Sequence, residues 1–211
     1  MIFFNDLPLT TKAVFAALAL LSVLTLTVTI FKFVQFRKLG VGGHKRGEEI
    51  LDDWLNGRPD EAQRKAQAGR TVLARVLGAV MSGLRARPSE PGYGEELARQ
   101  VALAEMSRMG ARMRLLEAVV QMAPMLGLLG TVIGMIDAFG NLALSQEATD
   151  PRLLASGIWT ALTTTAAGLA IALIAYFIAL WLESRIEDER QTIELVISSA
   201  IHGRIAQPAR A

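Results

Sequence analysis

Residues 157–182 read GIWTALTTTAAGLAIALIAYFIALWL, 26 consecutive positions without a charged side chain. A helix rises about 1.5 Å per residue and a bilayer core is roughly 30 Å thick, so about 20 apolar residues cross it. Two further runs meet that length: residues 119–144, 26 positions with Asp137 as the single charge, and residues 13–31, 19 positions with none. Three such runs in 211 residues predict an all-α membrane protein with three transmembrane helices and exclude a soluble globular fold. The averages conceal this, because 52% hydrophobic and 20% charged residues lie near the composition of an ordinary soluble domain.

The charges are sorted by side. Of 22 lysines and arginines, nineteen fall in residues 37–114 or after residue 182, which places both segments in the cytoplasm by the positive-inside rule. Lys12 precedes span one, Arg152 sits in the short loop between spans two and three, and Lys32 is expected to snorkel towards the basic side. The expected division is a periplasmic N-terminus at 1–12, span one at 13–36, a cytoplasmic helical segment at 37–114, span two at 115–144, a periplasmic loop at 145–156, span three at 157–182 and a cytoplasmic tail at 183–211. Span one leaves the membrane through Phe31-Lys32-Phe33-Val34-Gln35-Phe36-Arg37-Lys38, bulky and basic, with no small-residue cleavage pattern. It is therefore expected to stay as an anchor rather than be removed as a signal peptide.

The inner segment is punctuated by breakers. Gly40, Gly42, Gly43 and Gly47 loosen the exit from span one, and Ile50, Leu51, Trp54 and Leu55 share one side of a short helix over residues 48–56. Residues 59–68 form a charged helix, and residues 71–87 repeat Leu73, Leu77, Val80 and Leu84 at helical spacing. After Pro88-Ser89-Glu90-Pro91-Gly92, no strong stop except Pro124 appears before residue 144. One helix of some 50 residues is expected there, roughly 75 Å long, kinked at Pro124 and projecting beyond the bilayer. Span three is likewise expected to run on as helix to His202. The short inner helices are read as packing on these two projections.

The spans are of two kinds. Span one is rich in Leu, Val and Phe, as suits a lipid-facing helix. Span two carries Gly127, Gly130, Gly134 and Ala138, and span three carries Gly157, Ala161, Thr165, Gly168, Ala172, Ala175 and Ala179 at steps of three and four. Small residues let helix backbones approach closely, so these two spans are expected inside an assembly. Thr160, Thr163, Thr164 and Thr165 cluster within six residues, with Thr131 on the other small-residue face. Two readings stand: each hydroxyl bonds back to its own helix, or Thr131, Thr160, Thr164 and Thr165 line a polar pathway. Asp137 is the one ionisable group at membrane depth, either an ion carrier or an interfacial carboxylate near the outer surface. Glu117 and Gln121 are interfacial. If protons cross, the decisive carboxylate belongs to another chain.

The stretch Pro124-Met125-Leu126-Gly127-Leu128-Leu129-Gly130-Thr131-Val132-Ile133-Gly134-Met135-Ile136 resembles the signature of the MotA/TolQ/ExbB family. So does Gly157-Ile158-Trp159-Thr160-Ala161-Leu162-Thr163-Thr164-Thr165-Ala166-Ala167-Gly168-Leu169. Three spans rather than four place the likeness with ExbB first and TolQ next, not with the flagellar MotA. The resemblance implies a homo-pentameric pore lined by spans two and three, enclosing the single span of an ExbD- or TolR-like partner whose aspartate carries the proton. Thr131 and Thr165 fall on the family's pore-facing threonines. Thr160 departs from the pattern, since many ExbB and TolQ proteins hold a glutamate there. The coupling ion is thereby left between H+ and Na+.

The expected function is an ion-channel subunit of an inner-membrane motor that performs work on a TonB-like protein. A TolQ-like role in envelope integrity and division, or a non-conducting scaffold, are the alternatives. No cofactor, metal site or nucleic-acid surface is expected: cysteine is absent, only His44 and His202 offer imidazole, and no nucleophile–base pair or phosphate loop occurs. An enzyme is the least favoured reading.

Overall fold

Apolar runs of this length leave the backbone no partners but its own, and the computed structural model is correspondingly all-helical. It describes residues 8–144 and 151–203. The expected residues 1–7, 145–150 and 204–211 of the termini and outer loop lie outside the described residues. The helices are α1 (Leu9–Leu39), α2 (Lys45–Leu55), α3 (Pro59–Ala68), α4 (Val72–Ala86), α5 (Pro91–Gly110), α6 (Met113–Leu144) and α7 (Pro151–His202). Three helical stretches, Leu9–Leu39, Pro91–Ala143 and Leu154–His202, are long and apolar enough to cross a membrane. The chain divides into two compact units, one holding the start of α1 with Arg112–Leu180, the other holding Phe31–Ala111 with α7 from Trp181 onward.

In the first unit, Val14, Leu18 and Leu21 repeat at steps of four and three along α1. They are buried against Val119 and Ala123 of α6 and Ala172 and Ala175 of α7. The opposite surface of α1 presents Leu20, Val23 and Leu26, all more than 60% exposed, as a lipid-facing helix should. Its threonines cost nothing there, because Thr25, Thr27 and Thr29 donate to the carbonyls of Leu21, Val23 and Thr25 at 2.9, 2.7 and 2.7 Å.

The second unit folds around α4, whose Val72, Val76, Leu77, Val80 and Met81 have no exposed surface. Thr71 caps this helix, its hydroxyl accepting from the Ala74 amide at 3.3 Å. Where α4 meets α5, Gly83 and Gly94 lie backbone to backbone, so closely that a Cβ on Gly83 meets the Gly94 amide nitrogen at 3.0 Å. Trp54 of α2 donates its indole N–H to the Ala200 carbonyl of α7 at 3.0 Å. Buried Asp53 takes Arg58 at 2.6 Å and Lys65 at 2.5 Å on separate oxygens. The Lys65 hydrogen bond holds the Asp53 carboxyl below its ordinary value of 3.8, against the opposing effect of burial. Asp53 thus binds a proton less readily folded than unfolded. Its stabilising contribution is complete above about pH 4 and is lost as the pH falls through the lowered folded value. Asp53→Asn is expected to lower the thermal unfolding midpoint more at pH 7 than at pH 3, measured by scanning fluorimetry in detergent; an equal deficit at both pH values contradicts this assignment.

The expected single helix over residues 95–144 is divided. Arg112 adopts a left-handed backbone with φ +67°, and a two-residue turn separates α5 from α6. The carbonyls freed at the end of α5 find side-chain donors from α1: Gln35 reaches the Arg108 carbonyl at 2.9 Å, and Lys32 donates to that of Met109. Lys32 therefore does not snorkel. It is wholly buried, its ammonium also 5.7 Å from the centre of the Phe36 ring. A cation at a helix C-terminus is favoured by the exposed carbonyl dipoles. Pro124, by contrast, lies inside an unbroken α6.

Helix α7 runs 52 residues, about 78 Å. From Ala172 its buried positions continue through Ala175, Ala179, Leu182, Glu189, Ile193, Val196 and Ala200. With half-buried Ile186 the steps alternate between three and four, the seven-residue repeat of a coiled-coil seam.

Candidate functional site: the glycine–threonine seam of α6 and α7

Helices α6 and α7 meet in an antiparallel seam built from small residues. A Cβ on Gly127 lies 3.0 Å from the Thr164 carbonyl oxygen and from the Thr165 Cα; one on Gly134 lies 2.9 Å from the Ala161 Cβ; one on Gly157 lies 2.6 Å from the Ala138 Cβ. Gly130 faces the Thr164 side chain, and Gly168 faces the Ala123 carbonyl oxygen and Gly127. Steps of three and four on each helix therefore mesh residue for residue, so close that no side chain larger than hydrogen fits at these glycines. In lipid no hydrophobic force draws helices together, and this close van der Waals contact takes its place.

The seam orders the threonines differently from one another. Thr164 has no exposed surface; its hydroxyl donates to the Ala161 carbonyl at 2.6 Å and lies 3.4 Å from that of Gly127. Thr165 donates across the seam to the Gly127 carbonyl at 2.9 Å. Thr160, Thr163 and Thr131 bond back along their own helices, to Ser156, Trp159 and Leu128 at 3.0, 2.8 and 2.6 Å. Every one of these hydroxyl protons is engaged by a carbonyl, which leaves oxygen lone pairs as the free valence. Thr163 is exposed, while Thr131, Thr160 and Thr165 are half-buried.

Helical phase separates the groups further. Leu126 and Ala167 pack against the α1 core. At about 100° per residue, Thr131 lies about 140° round α6 from Leu126, and Thr165 about 160° round α7 from Ala167. Thr131 and Asp137 thus lie about 120° apart on α6, whereas Thr160 lies only about 20° from Ala167. Asp137 lies only about 20° from Leu126, and the Thr10 hydroxyl of α1 donates to it at 3.4 Å. Thr131 and the carboxylate of Asp137 accordingly occupy different faces of α6. Gly127, Gly130, Gly134, Ala161 and Gly168 all fall in the seam, and Ala172 falls in the core shared with α1.

Sequence reasoning did not reach three arrangements. Lys32 and Gln35 as caps of α5 carried one signal, a lysine inside an otherwise apolar helix. Buried Glu105, held by Arg75 at 3.2 Å and Arg108 at 3.0 Å, carried none. Glu189, accepting the Gly42 amide at 3.1 Å, was hidden among exposed charges of α7.

A model of the MotA/TolQ/ExbB proton channel family matches residues 61–195. A protein of Methanothermobacter thermautotrophicus named as a biopolymer transport protein ExbB homolog is 40% identical over 102 residues, 48% of this chain and 36% of the relative. An ExbB-like biopolymer transport protein of Synechocystis is 32% identical over 166 residues, 76% of this chain and 63% of the relative. One from Helicobacter pylori is 27% identical over 186 residues, 88% of each. The chain thus spans between about a third and just under two thirds of the first two relatives. The matched region includes the whole seam, with its threonines and glycines, together with the helices of the second unit from α3 onward. With three membrane-crossing helices and this match, the chain is a multi-pass membrane protein that belongs to the MotA/TolQ/ExbB proton channel family.

Proposed function

We propose that this chain is the pore-forming subunit of an ion-driven inner-membrane motor. Five copies surround the single span of an ExbD- or TolR-like partner, whose intramembrane aspartate carries the proton. The observation behind this reading is that the only carboxylate of residues 119–144 and 157–182, Asp137, takes the Thr10 hydroxyl of α1, on a different face of α6 from Thr131, while Thr165 lies at the seam against the Gly127 carbonyl. Protons need an ionisable carrier at membrane depth, so the carrier comes from a second chain. Threonine oxygens whose protons are already donated to Gly127 and Leu128 can accept from a protonated carboxyl. Those same lone pairs suit Na+, which makes the coupling ion an outcome of the test.

In this reading the N-terminus is periplasmic, the second unit is cytoplasmic, and the motor's output is work on a TonB-like protein for outer-membrane import. A TolQ-like division role uses the same pore with other partners. The test is flux into liposomes holding the chain with and without its partner, read by a pH-sensitive dye and a Na+ indicator. Proton entry is expected only with both chains, and not when the partner's aspartate is asparagine. Conduction by this chain alone would remove the partner from the mechanism.

A further inference from the structure

Where α1 ends, the chain turns through Gly40 and Gly42, both left-handed at φ +70° and +79°. The turn is closed by Gly43 donating to the Gly40 carbonyl at 2.9 Å and Val41 to that of Phe36 at 3.1 Å. Residues 37–47 contain Arg37, Lys38, Lys45, Arg46 and His44 and no acid. A fifth strong cation arrives from α7, for Arg185 Nη1 lies 3.5 Å from the point where a Cβ on Gly42 would stand. Two of these cations rest on aromatic rings: Arg37 is 4.9 Å from the centre of Phe33, and Arg185 is 5.6 Å from that of Trp181. Both rings are almost half exposed, at 48% and 47%.

Charge around the turn is poorly balanced. Among the described residues, no carboxylate lies in salt-bridge range of Arg37, Lys38, Lys45, Arg46 or Arg185. Glu48 and Glu49 on α2, and Glu183, Glu187 and Asp188 on α7, are exposed to solvent. The acid set against the turn is Glu189, which is buried and takes the Gly42 amide. Burial pushes the Glu189 carboxyl up, opposed by the Gly42 N–H and by His44.

We propose that this turn is a binding site for the headgroup of an anionic phospholipid, with its phosphate held by Arg37, Lys38 and Arg185. A basic cluster directly beyond a transmembrane helix attracts anionic headgroups, and aromatic rings favour the same boundary. A lipid suits the site better than a soluble anion because the approach is apolar. Phe31 and Val34, on the last turns of α1 before the basic residues, are 43% and 45% exposed and give acyl chains a bed. The proposal rests only on α1 and α7 crossing a membrane, and it holds whether or not the chain conducts ions.

Native mass spectrometry of the full chain, purified in mild detergent and titrated with phosphatidylglycerol or phosphatidylcholine, tests it. The wild type is expected to retain phosphatidylglycerol at least tenfold better. The triple variant Arg37→Gln/Lys38→Gln/Arg185→Gln is expected to lose that preference by roughly tenfold or more, each cation near an anionic surface being worth about fivefold. Arg37→Lys/Arg185→Lys retains it, which separates lost charge from misfolding. Arg87→Gln/Arg99→Gln, far along the sequence from the turn, leaves it unchanged. Equal retention in the triple variant and wild type overturns the site. So does an equal loss in the Arg87/Arg99 control, or full displacement of lipid by millimolar glycerol 3-phosphate.

Discussion

Gly168→Ala is expected to lower the thermal unfolding midpoint markedly and to prevent the chain from assembling, whereas Gly140→Ala on α6 does neither. The new methyl at residue 168 meets the Ala123 carbonyl oxygen and the Gly127 Cα, 3.1 Å away, and these are backbone atoms that cannot rotate aside. The two helices must separate. Overpacking of this kind costs about 1–3 kcal/mol, and in lipid no hydrophobic gain compensates a widened seam. At Gly140 nothing lies within 4 Å, so alanine's better helix propensity of about 0.8–1.0 kcal/mol acts unopposed. Gly130→Ala falls between, since it presses on the Thr164 side chain and forces that hydroxyl off the Ala161 carbonyl. Scanning fluorimetry and the native mass of the assembly rank the three variants. A seam that tolerates alanine at residue 168 as well as at residue 140 is not the close contact described.

The second large effect concerns conduction. Thr165→Val keeps the volume of the side chain but removes the oxygen that stands 2.9 Å from the Gly127 carbonyl. A hydrogen bond to a charged or transferring group is worth about 1.5–3 kcal/mol, so partner-dependent proton flux is expected to fall roughly ten- to hundredfold with assembly retained. Asp137→Asn is expected to leave flux within about twofold, because that carboxylate belongs to the α1 side beside Thr10. Both variants are measured in the same liposomes. The reverse pattern, with residue 137 decisive and residue 165 neutral, places the ion path on the other side of the helix pair.

How far the sequence carried the reading depended on whether each feature was settled locally. Membrane spans were legible because 19 to 26 uncharged or nearly uncharged positions in a row have no other stable home. Helices α2 to α4 were legible from glycine and proline punctuation, and the α6–α7 seam from small residues at steps of three and four. The turn at Ala111–Arg112 was not. Its left-handed residue is an arginine, not a glycine, and it persists because Lys32 and Gln35, more than seventy positions away, supply donors to the freed carbonyls. At Pro124, by contrast, the helix is expected to continue, and α6 does run through it. The full extent of the α7 stripe was likewise hidden, because Glu189 interrupts its apolar pattern while still occupying a buried position.

The threonines show the same division between local and distant causes. Thr160, Thr163 and Thr164 bond back to their own turn, while Thr165 donates to the facing helix. A sequence shows four hydroxyls in six positions, but only the packed pair shows which of them the seam consumes.

Helix α7 keeps its seven-residue alternation without interruption from Ala172 to Ala200. Adding one residue anywhere along it turns all that follows by about 100°, so the helix keeps count of its own length and tolerates insertion only in whole repeats. The turn after Gly110 does the opposite. There the count restarts, and chain can be gained or lost without rotating the glycines of α6 off their mates. Length variation within this family should therefore gather at that turn and be scarce along α7.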